Sequence, residues 1–445
     1  MDGSTAPQSG SGIDAGSIFL LLITIVVFFT PLLVIFPPVP PSKRDALLET
    51  HVQVGLNPSK SGLKNHNKNV PAVNNDTTSS GTIRSLWIYP IKSCKGIEVT
   101  QSKVLPTGLE YDLPSPVGAD TPSADKSAHK WEFITQRQFP LLATVQVDLF
   151  IPDIIKARGR SSTALVTEPY LLVRFPWREP GLRGTLSTIA AKLVRGWRAQ
   201  PEKEFMLPVA FPSAAEIAAR GYALEDVVIW RETVSALNME AELPPELARY
   251  VGVSNRLGLF RVDPARLRSV FRAAPREGEA GYQPVTGFQD AYPLHLLNLA
   301  SVRDFDAKID KDEELRDLDP RRFRANIIVD GGDTPYDEET WKKIRFQPGP
   351  SNKRDASAFH VSCRTVRCKL PNVDQDTGHR HPVEPDRSLR KHREVDEGAK
   401  NKGCLGMQMT PLFDKTDSPE DLESWAEVGM SVEVIERGDH VYIKQ

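Results

Sequence analysis

From Ile18 to Phe36 the chain is apolar apart from Thr24, Thr30 and Pro31. At about 1.5 Å per residue, such a run is long enough for a helix to cover a bilayer core. The pattern predicts a transmembrane anchor over 18–36, with residues 1–17 as a short lumenal N-terminus. Lys43 and Arg44 follow the run and no basic residue precedes it, so the positive-inside rule places everything after Pro37 in the cytosol. A cleaved signal peptide would carry positive charge ahead of the run and small residues after it. Here Asp2 and Asp14 precede it and bulky residues and prolines follow, so no cleavage is expected.

Residues 37–80 hold a Pro cluster, then Asn, Ser, Lys and Gly with few aromatics. A segment that poor in apolar side chains is expected to be a flexible linker. A linker of this kind confines a soluble domain near one membrane and raises its effective concentration against partners anchored there.

After Ser80 the pattern changes to short β-rich runs: Ile83 to Tyr89, Ile97 to Val104, Trp131 to Thr135, Ala143 to Phe150 and Tyr170 to Phe175. Turn formers separate them at short intervals, which favours barrels over a doubly wound sheet. Helices are expected at Leu182 to Arg198, Ser213 to Arg220, Pro244 to Tyr250 and Ser301 to Ile309. The last follows a buried strand, Leu294 to Leu297, with Asn298 placed to cap it. Later strands are expected at Ala325 to Val329, Ile344 to Phe346, Phe359 to Val361, Gly406 to Met409, Ser431 to Ile435 and Val441 to Lys444. The fold class is mainly β with α (α+β), in two barrel-like domains, 82–240 and 281–445, joined by a connecting region over 240–281. Residues 114–130 and 156–223 read as insertions in the first.

Composition removes some classes of function. The 56 basic and 58 acidic residues nearly cancel, and no long basic stripe appears, so a nucleic-acid partner is not expected. Cys94, Cys363, Cys368 and Cys404 are the only cysteines, too few for a disulfide framework and suited to a reducing compartment. Taken singly, each is a small buried hydrophobe.

One of them has a different context. Cys368 follows Arg367 at a strand end, ahead of a polar turn, Val373 to Gly378, and a neighbouring guanidinium favours a thiolate. A thiolate without a CxxC partner cannot close a four-cysteine zinc or iron–sulfur site, so a metal there must bring other ligands. A zinc site of Cys363, Cys368, His379 and His381 is the rival, although the two histidines also suit solvent-facing turn positions. Upstream, Tyr89 to Gly96 reads Tyr-Pro-Ile-Lys-Ser-Cys-Lys-Gly, a turn in which amides, a hydroxyl and ammonium groups can converge on a phosphate or simply face solvent. Lys391, His392 and Arg393 form a solvated helix face or a basic edge for an acidic electron carrier.

In several ordered blocks the chain resembles the MOSC-domain family, and within it the amidoxime-reducing components. The blocks are Leu86 to Gly96, Phe133 to Arg137, Asp290 to Leu297, Phe323 to Asn326, Arg367-Cys368 through Gly378, Glu384-Pro385 and Pro411 to Phe413. The resemblance covers most of residues 82–445 and implies an N-terminal and a C-terminal MOSC β-barrel. It also implies a molybdenum cofactor (Mo-molybdopterin), with Cys368 as the metal ligand. Lys92 and Ser93 map onto the phosphate clamp, and Asp290, Arg324, Asn326 and Arg367 onto cofactor-binding positions. Cys368, Asp290 and Asn326 are the residues expected at the chemistry. The family's arginine near the first domain's Trp is missing, and Lys130 beside Trp131 is the candidate in its place. Where relatives carry a cysteine and a serine before the arginine, this chain has Thr365 and Val366.

The implied activity is reduction of N-hydroxylated compounds such as amidoximes and hydroxylamines. The chain has no dinucleotide fingerprint and no ferredoxin-type cysteine run, so electrons must come from another protein. By resemblance the donors are a cytochrome b5 and its NADH-dependent reductase, and the membrane is the mitochondrial outer membrane or the endoplasmic reticulum. The alternative is a non-enzymatic cofactor carrier or sulfur-handling module.

Overall fold

Alternating apolar and polar positions in the second half of the chain roll up into a closed sheet. A computed structural model of the chain describes residues 14–35, 42–64, 66, 80–112, 115–122, 129–157, 168–229, 232–331, 334–349 and 354–443. In it, strands run in the order Ile327–Asp330, Leu294–Asn298, Cys404–Leu412, Ser357–Val366, Trp341–Gln347, Ser431–Arg437 and Thr82–Ile88, and the last pairs back onto Ile327–Asp330. Leu294–Asn298 and Ile327–Asp330 are parallel. A parallel pair needs a crossover, supplied here by helix Leu299–Asp306. Leu86, Ile344, Phe346, Phe359, Met407 and Met409 fill the interior, fully buried.

Thr82–Ile88 begins the segment expected to form the first domain, yet it closes the barrel of the second. Its last four residues are all buried, because it is paired on both edges, with Ile97–Val99 beside it as well as Ile327–Asp330. The other barrel consists of Val117–Pro122, His129–Phe133, Ala223–Ile229, Glu232–Asn238 and Leu257–Arg261, closed by a parallel pairing of Ala223–Ile229 with His129–Phe133. Trp131 and Phe260 meet edge to face inside it, ring centroids 5.3 Å apart. Leu257–Arg261 therefore takes the region expected only to connect the domains into the first barrel.

Three further expectations are corrected. The linker over 37–80 is partly folded: Lys43–Leu48 is helical and His51–Val54 pairs with Gln146–Pro152. Leu47 supplies the burial that makes this worthwhile, packing with Phe150 and Leu172; residues 67–79 lie outside the described residues. The insertion at 156–223 contains Tyr170–Pro176 and Glu202–Pro208, which extend that same sheet to four strands. No strand forms at Val441 to Tyr442 and Ile443. Helices Leu182–Arg195, Ala214–Arg220, Pro245–Val251 and Leu299–Asp306 lie where the periodicity put them.

The first helix, Ala15–Ile35, carries no charged residue, and Ile18 to Phe29 includes a run of exposed apolar side chains. Its side chains are described only as far as Pro31, and among the described residues no helix is long and apolar enough to cross a membrane. The span expected over 18–36 is therefore not established by the structure.

The crossover helix is pinned by a buried acid. Asn298 caps it by accepting from Ala300 N at 3.1 Å and donates to Glu338 Oε2 at 2.9 Å, while Ser301 donates to Glu338 Oε1 at 2.6 Å. Burial pushes the Glu338 carboxyl up to about 7 from 4.5. The ionised form is thus penalised in the fold and not in the unfolded chain. Stability from this group is complete below the unfolded value and is lost as pH rises through about 7. Thermal unfolding followed from about pH 6 to about pH 8 is expected to show a falling midpoint that flattens in Glu338→Gln. An unchanged slope in the variant contradicts this assignment.

Candidate functional site

The loop after Thr82–Ile88 is held from several sides. Lys92 N donates to Ser115 O at 3.0 Å, Lys95 N to Val145 O at 3.0 Å, and the Gln136 amide to Ser93 O at 2.7 Å. Gln136 and Gln375 exchange side-chain hydrogen bonds at 3.2 and 3.1 Å, tying this loop to the turn that follows Cys368. Ser93 adopts a left-handed backbone, φ 67°, a conformation a non-glycine residue holds only when its surroundings enforce it. Its side chain makes no hydrogen bond to any described residue, although Ser93 is 97% buried. Lys92 Nζ reaches Asp290 Oδ1 at 2.5 Å and Phe288 O at 3.1 Å.

Opposite, Arg324 is also left-handed, φ 52°, at the end of the short turn Pro320–Phe323. Its guanidinium donates to Cys94 O at 2.7 Å and stacks 4.1 Å from the centre of the Tyr89 ring. Burial lowers the affinity of this guanidinium for its proton. Arg367 donates to Leu405 O at 2.9 Å, to Phe323 O at 3.3 Å, and to His295 Nε2 at 3.0 Å. Arginine only donates, so Nε2 accepts and His295 is neutral with its proton on Nδ1. Burial, then the Arg367 charge, hold its pKa well below the ordinary range. Burial likewise brings Arg367 down to about 10. The approach of the ring requires a glycine at 406: a Cβ there would lie 2.4 Å from His295 Nε2, and its φ is +84°.

These groups face one cavity of about 450 Å³, in whose wall stand Lys92, Ser93, Asp290, Arg324, Asn326, Arg367 and Cys368 together. Lys130 is absent from it. It lies on the other barrel, half exposed, with Glu132 at 3.2 Å, because its strand turns that face to solvent; Arg137 and Thr135 line the cavity instead. Asn326 is present, but its amide serves the scaffold. It donates to Asp112 Oδ2 at 2.8 Å and Trp87 O at 3.3 Å and accepts from His295 N at 3.1 Å. Asp112, fully buried and raised to about 6 by that burial, also takes Tyr89 N at 2.6 Å.

Cys368 stands apart from the other thiols. Cys94, Cys363 and Cys404 are buried, and desolvation pushes each up to about 12, whereas Cys368 is partly exposed in the cavity wall. The rival zinc set does not assemble. Cys363 packs against Tyr292 and Val270, and no metal-binding cluster occurs among the described residues. His381 is buried rather than solvent-facing and is engaged with Asp312 at 2.8 Å and the Glu384 amide at 2.8 Å.

Sequence reasoning gave no role to Asp112, Gln136, Gln375 or His295, and it took Thr365 only as a departure that removes a hydroxyl contact. Gln136, Gln375 and His295 lie inside the ordered blocks, and His295 is also a lone polar residue in the apolar run Leu294 to Leu297. The Thr365 hydroxyl is buried in the cavity wall with no hydrogen-bond partner, which costs about 1–3 kcal/mol unless a bound group satisfies it.

A pocket beside both barrels that gathers one accessible thiol, a lysine and a serine on one loop, and two half-buried guanidinium donors has the donor set for a phosphorylated, metal-bearing group. The chain belongs to the MOSC family: residues 283–442 match the MOSC domain and residues 80–168 the MOSC N-terminal beta barrel domain. Among its relatives is the rat protein named mitochondrial amidoxime reducing component 2, 25% identical over 77% of this chain and 80% of the relative. The human mitochondrial amidoxime-reducing component 1 is 23% identical over 71% of this chain and 73% of its own. A molybdenum cofactor sulfurase from Oryza sativa subsp. japonica is 22% identical over 66% of this chain but only 29% of the relative. The molybdenum cofactor is the group that goes with this family, and the residues present fit it. Cys368 is a thiol donor, Lys92 and Ser93 suit a phosphate, and Thr365 offers a hydroxyl that nothing else engages.

Asn326→Ala would leave the buried Asp112 short of a donor and unfasten Trp87 from His295. Chemical denaturation is expected to show a loss of about 2–4 kcal/mol. Full stability with lost activity would instead make Asn326 a substrate contact.

Proposed function

We propose that the protein is a molybdenum-dependent reductase of N-hydroxylated compounds, taking electrons from an external carrier. The observation that carries this reading is the single partly exposed thiol, Cys368, in the same cavity wall as Lys92, Ser93 and Arg324. Cys368 would bind the metal; Lys92 and Ser93 would hold the phosphate, with Arg137 beside them in place of Lys130. Arg324 and Arg367 would orient the pterin through fixed donors. When bound, the group supplies the two-electron chemistry that turns an amidoxime or hydroxylamine into the amine-type product and water. The protein's own contribution is positioning and electrostatics. Asp290, at the cavity mouth with Lys92, is placed to hold or pass a proton. A second cavity of about 390 Å³ shares Asp290 and Ala291 with the first and offers the substrate an approach.

Electron delivery is supported by charge. A cleft of about 550 Å³ that also borders Cys368 is lined by Arg137, Lys369, Arg380, Arg390 and Lys402, with Asp386 as the one acid among the described residues lining it. Asp386 is already paired with Arg390 at 2.6 Å. A surface of that sign suits an acidic donor such as a cytochrome b5 reduced by its NADH-dependent reductase. The apolar helix Ala15–Ile35 would anchor the protein in the membrane that also holds the donor, with the barrels in the cytosol; the relatives' names point to the mitochondrion.

Molybdenum-loaded protein mixed with cytochrome b5, its reductase and NADH is expected to oxidise NADH only when benzamidoxime is added. Cys368→Ser should lose both metal and activity. Full loading without substrate-dependent NADH oxidation favours a cofactor carrier.

A further inference from the structure

Helix Leu182–Arg195 shows to solvent the side chains a soluble helix buries. Leu182, Leu186, Ile189 and Leu193 are 83, 66, 51 and 79% exposed, and Trp197 just beyond the helix is 82% exposed. Steps of four, three and four residues place the four aliphatic side chains on one face. Between 180 and 201 the charged residues are Arg183, Lys192, Arg195 and Arg198, with no acid among them. Lys192 Nζ sits 5.2 Å from the centre of the Trp197 ring. A contiguous apolar strip of this kind on a folded protein marks an interaction surface.

Its place in the fold says what covers it. The helix is carried between Tyr170–Pro176 and Glu202–Pro208, whose register pairs Pro176 with Glu202 at its root. The backbone N–H of Lys43 donates to the carboxylate of Glu204, two residues from that root. Ser42 is seven residues from Ile35, the end of the apolar helix Ala15–Ile35, so the chain between them spans at most roughly 25 Å. The chain that follows Ala15–Ile35 therefore joins the folded sheet on Glu202–Pro208, two residues from the root of Leu182–Arg195.

We propose that Leu182–Arg195 and Trp197 lie in the headgroup region of a bilayer containing anionic lipid, beside the point where Ala15–Ile35 enters it. This rests on the membrane part of the preceding reading. Apolar residues on one face, basic residues without acids, and a tryptophan at the end match an interfacial helix. A second copy would set two surfaces of the same positive sign against each other. Such a contact would fix how the barrels face the membrane and hence their acidic partner.

The test is flotation of the full chain with vesicles of phosphatidylcholine, or of phosphatidylcholine and phosphatidylserine at about 7:3, with amide exchange of 182–197 read on each. The expected result is flotation on both, with exchange slowed at least about tenfold more on the anionic vesicles. Leu186→Ser with Leu193→Ser should still float but lose the slowing. Flotation without slowing on either vesicle overturns the proposal while leaving the anchor intact. Slowing that instead tracks protein concentration at fixed lipid points to a second copy and overturns it too. If the double variant no longer floats, this helix is the binding element and the anchor reading fails alone; no flotation of the parent chain overturns both.

Discussion

The side-chain amide of Asn326 holds together the parts on which the site depends. It joins the end of Thr82–Ile88 through Trp87 O, the loop at Asp112, and the strand Leu294–Asn298 through His295 N. Backbone bonds from Trp87 N to Asn326 O and from Asn326 N to His295 O run alongside. Three segments distant in sequence thus share one buried residue, and each leads to a wall of the cavity. Trp87 precedes Tyr89 to Lys92, His295 orients Arg367, and Asn326 itself follows Arg324. A buried polar network satisfied this fully fixes geometry more tightly than apolar packing does.

The second constraint is charge without water. Arg324 and Arg367 are half-buried and are held by carbonyls of the scaffold, Arg324 by Cys94 O and Arg367 by Leu405 O and Phe323 O. Their positive charge is therefore fixed in place before any ligand arrives, and burial opposes it in both. An anionic ligand relieves that opposition, which is the physical reason such a pocket suits a phosphate and a thiolate-bound metal. His295, held neutral, adds an acceptor for Arg367 and no competing charge.

Strands and helices of the second barrel could be read from periodicity because each buries one face in one core. Sequence pattern could not show that Thr82–Ile88 belongs there, since a strand buried on both edges is defined by partners far along the chain. Leu257–Arg261 and Val117–Pro122 were missed for the same reason: they complete a barrel whose other strands lie elsewhere. Cys368, Lys92, Ser93, Arg324 and Arg367 were singled out because ordered motifs carry them, and the fold brings them to one cavity. Lys130 failed because adjacency to Trp131 in sequence does not set which face of the strand it takes. Asn326 was given a chemical role by the resemblance, whereas its three hydrogen bonds inside the scaffold are visible only in three dimensions.

In the proposed function Cys368 is the one thiolate the protein gives to the metal. X-ray absorption at the molybdenum edge of the loaded protein tests it most directly. The expected spectrum has one sulfur more than the pterin supplies, and only the pterin's pair in Cys368→Ser. An unchanged sulfur count in the variant would contradict it.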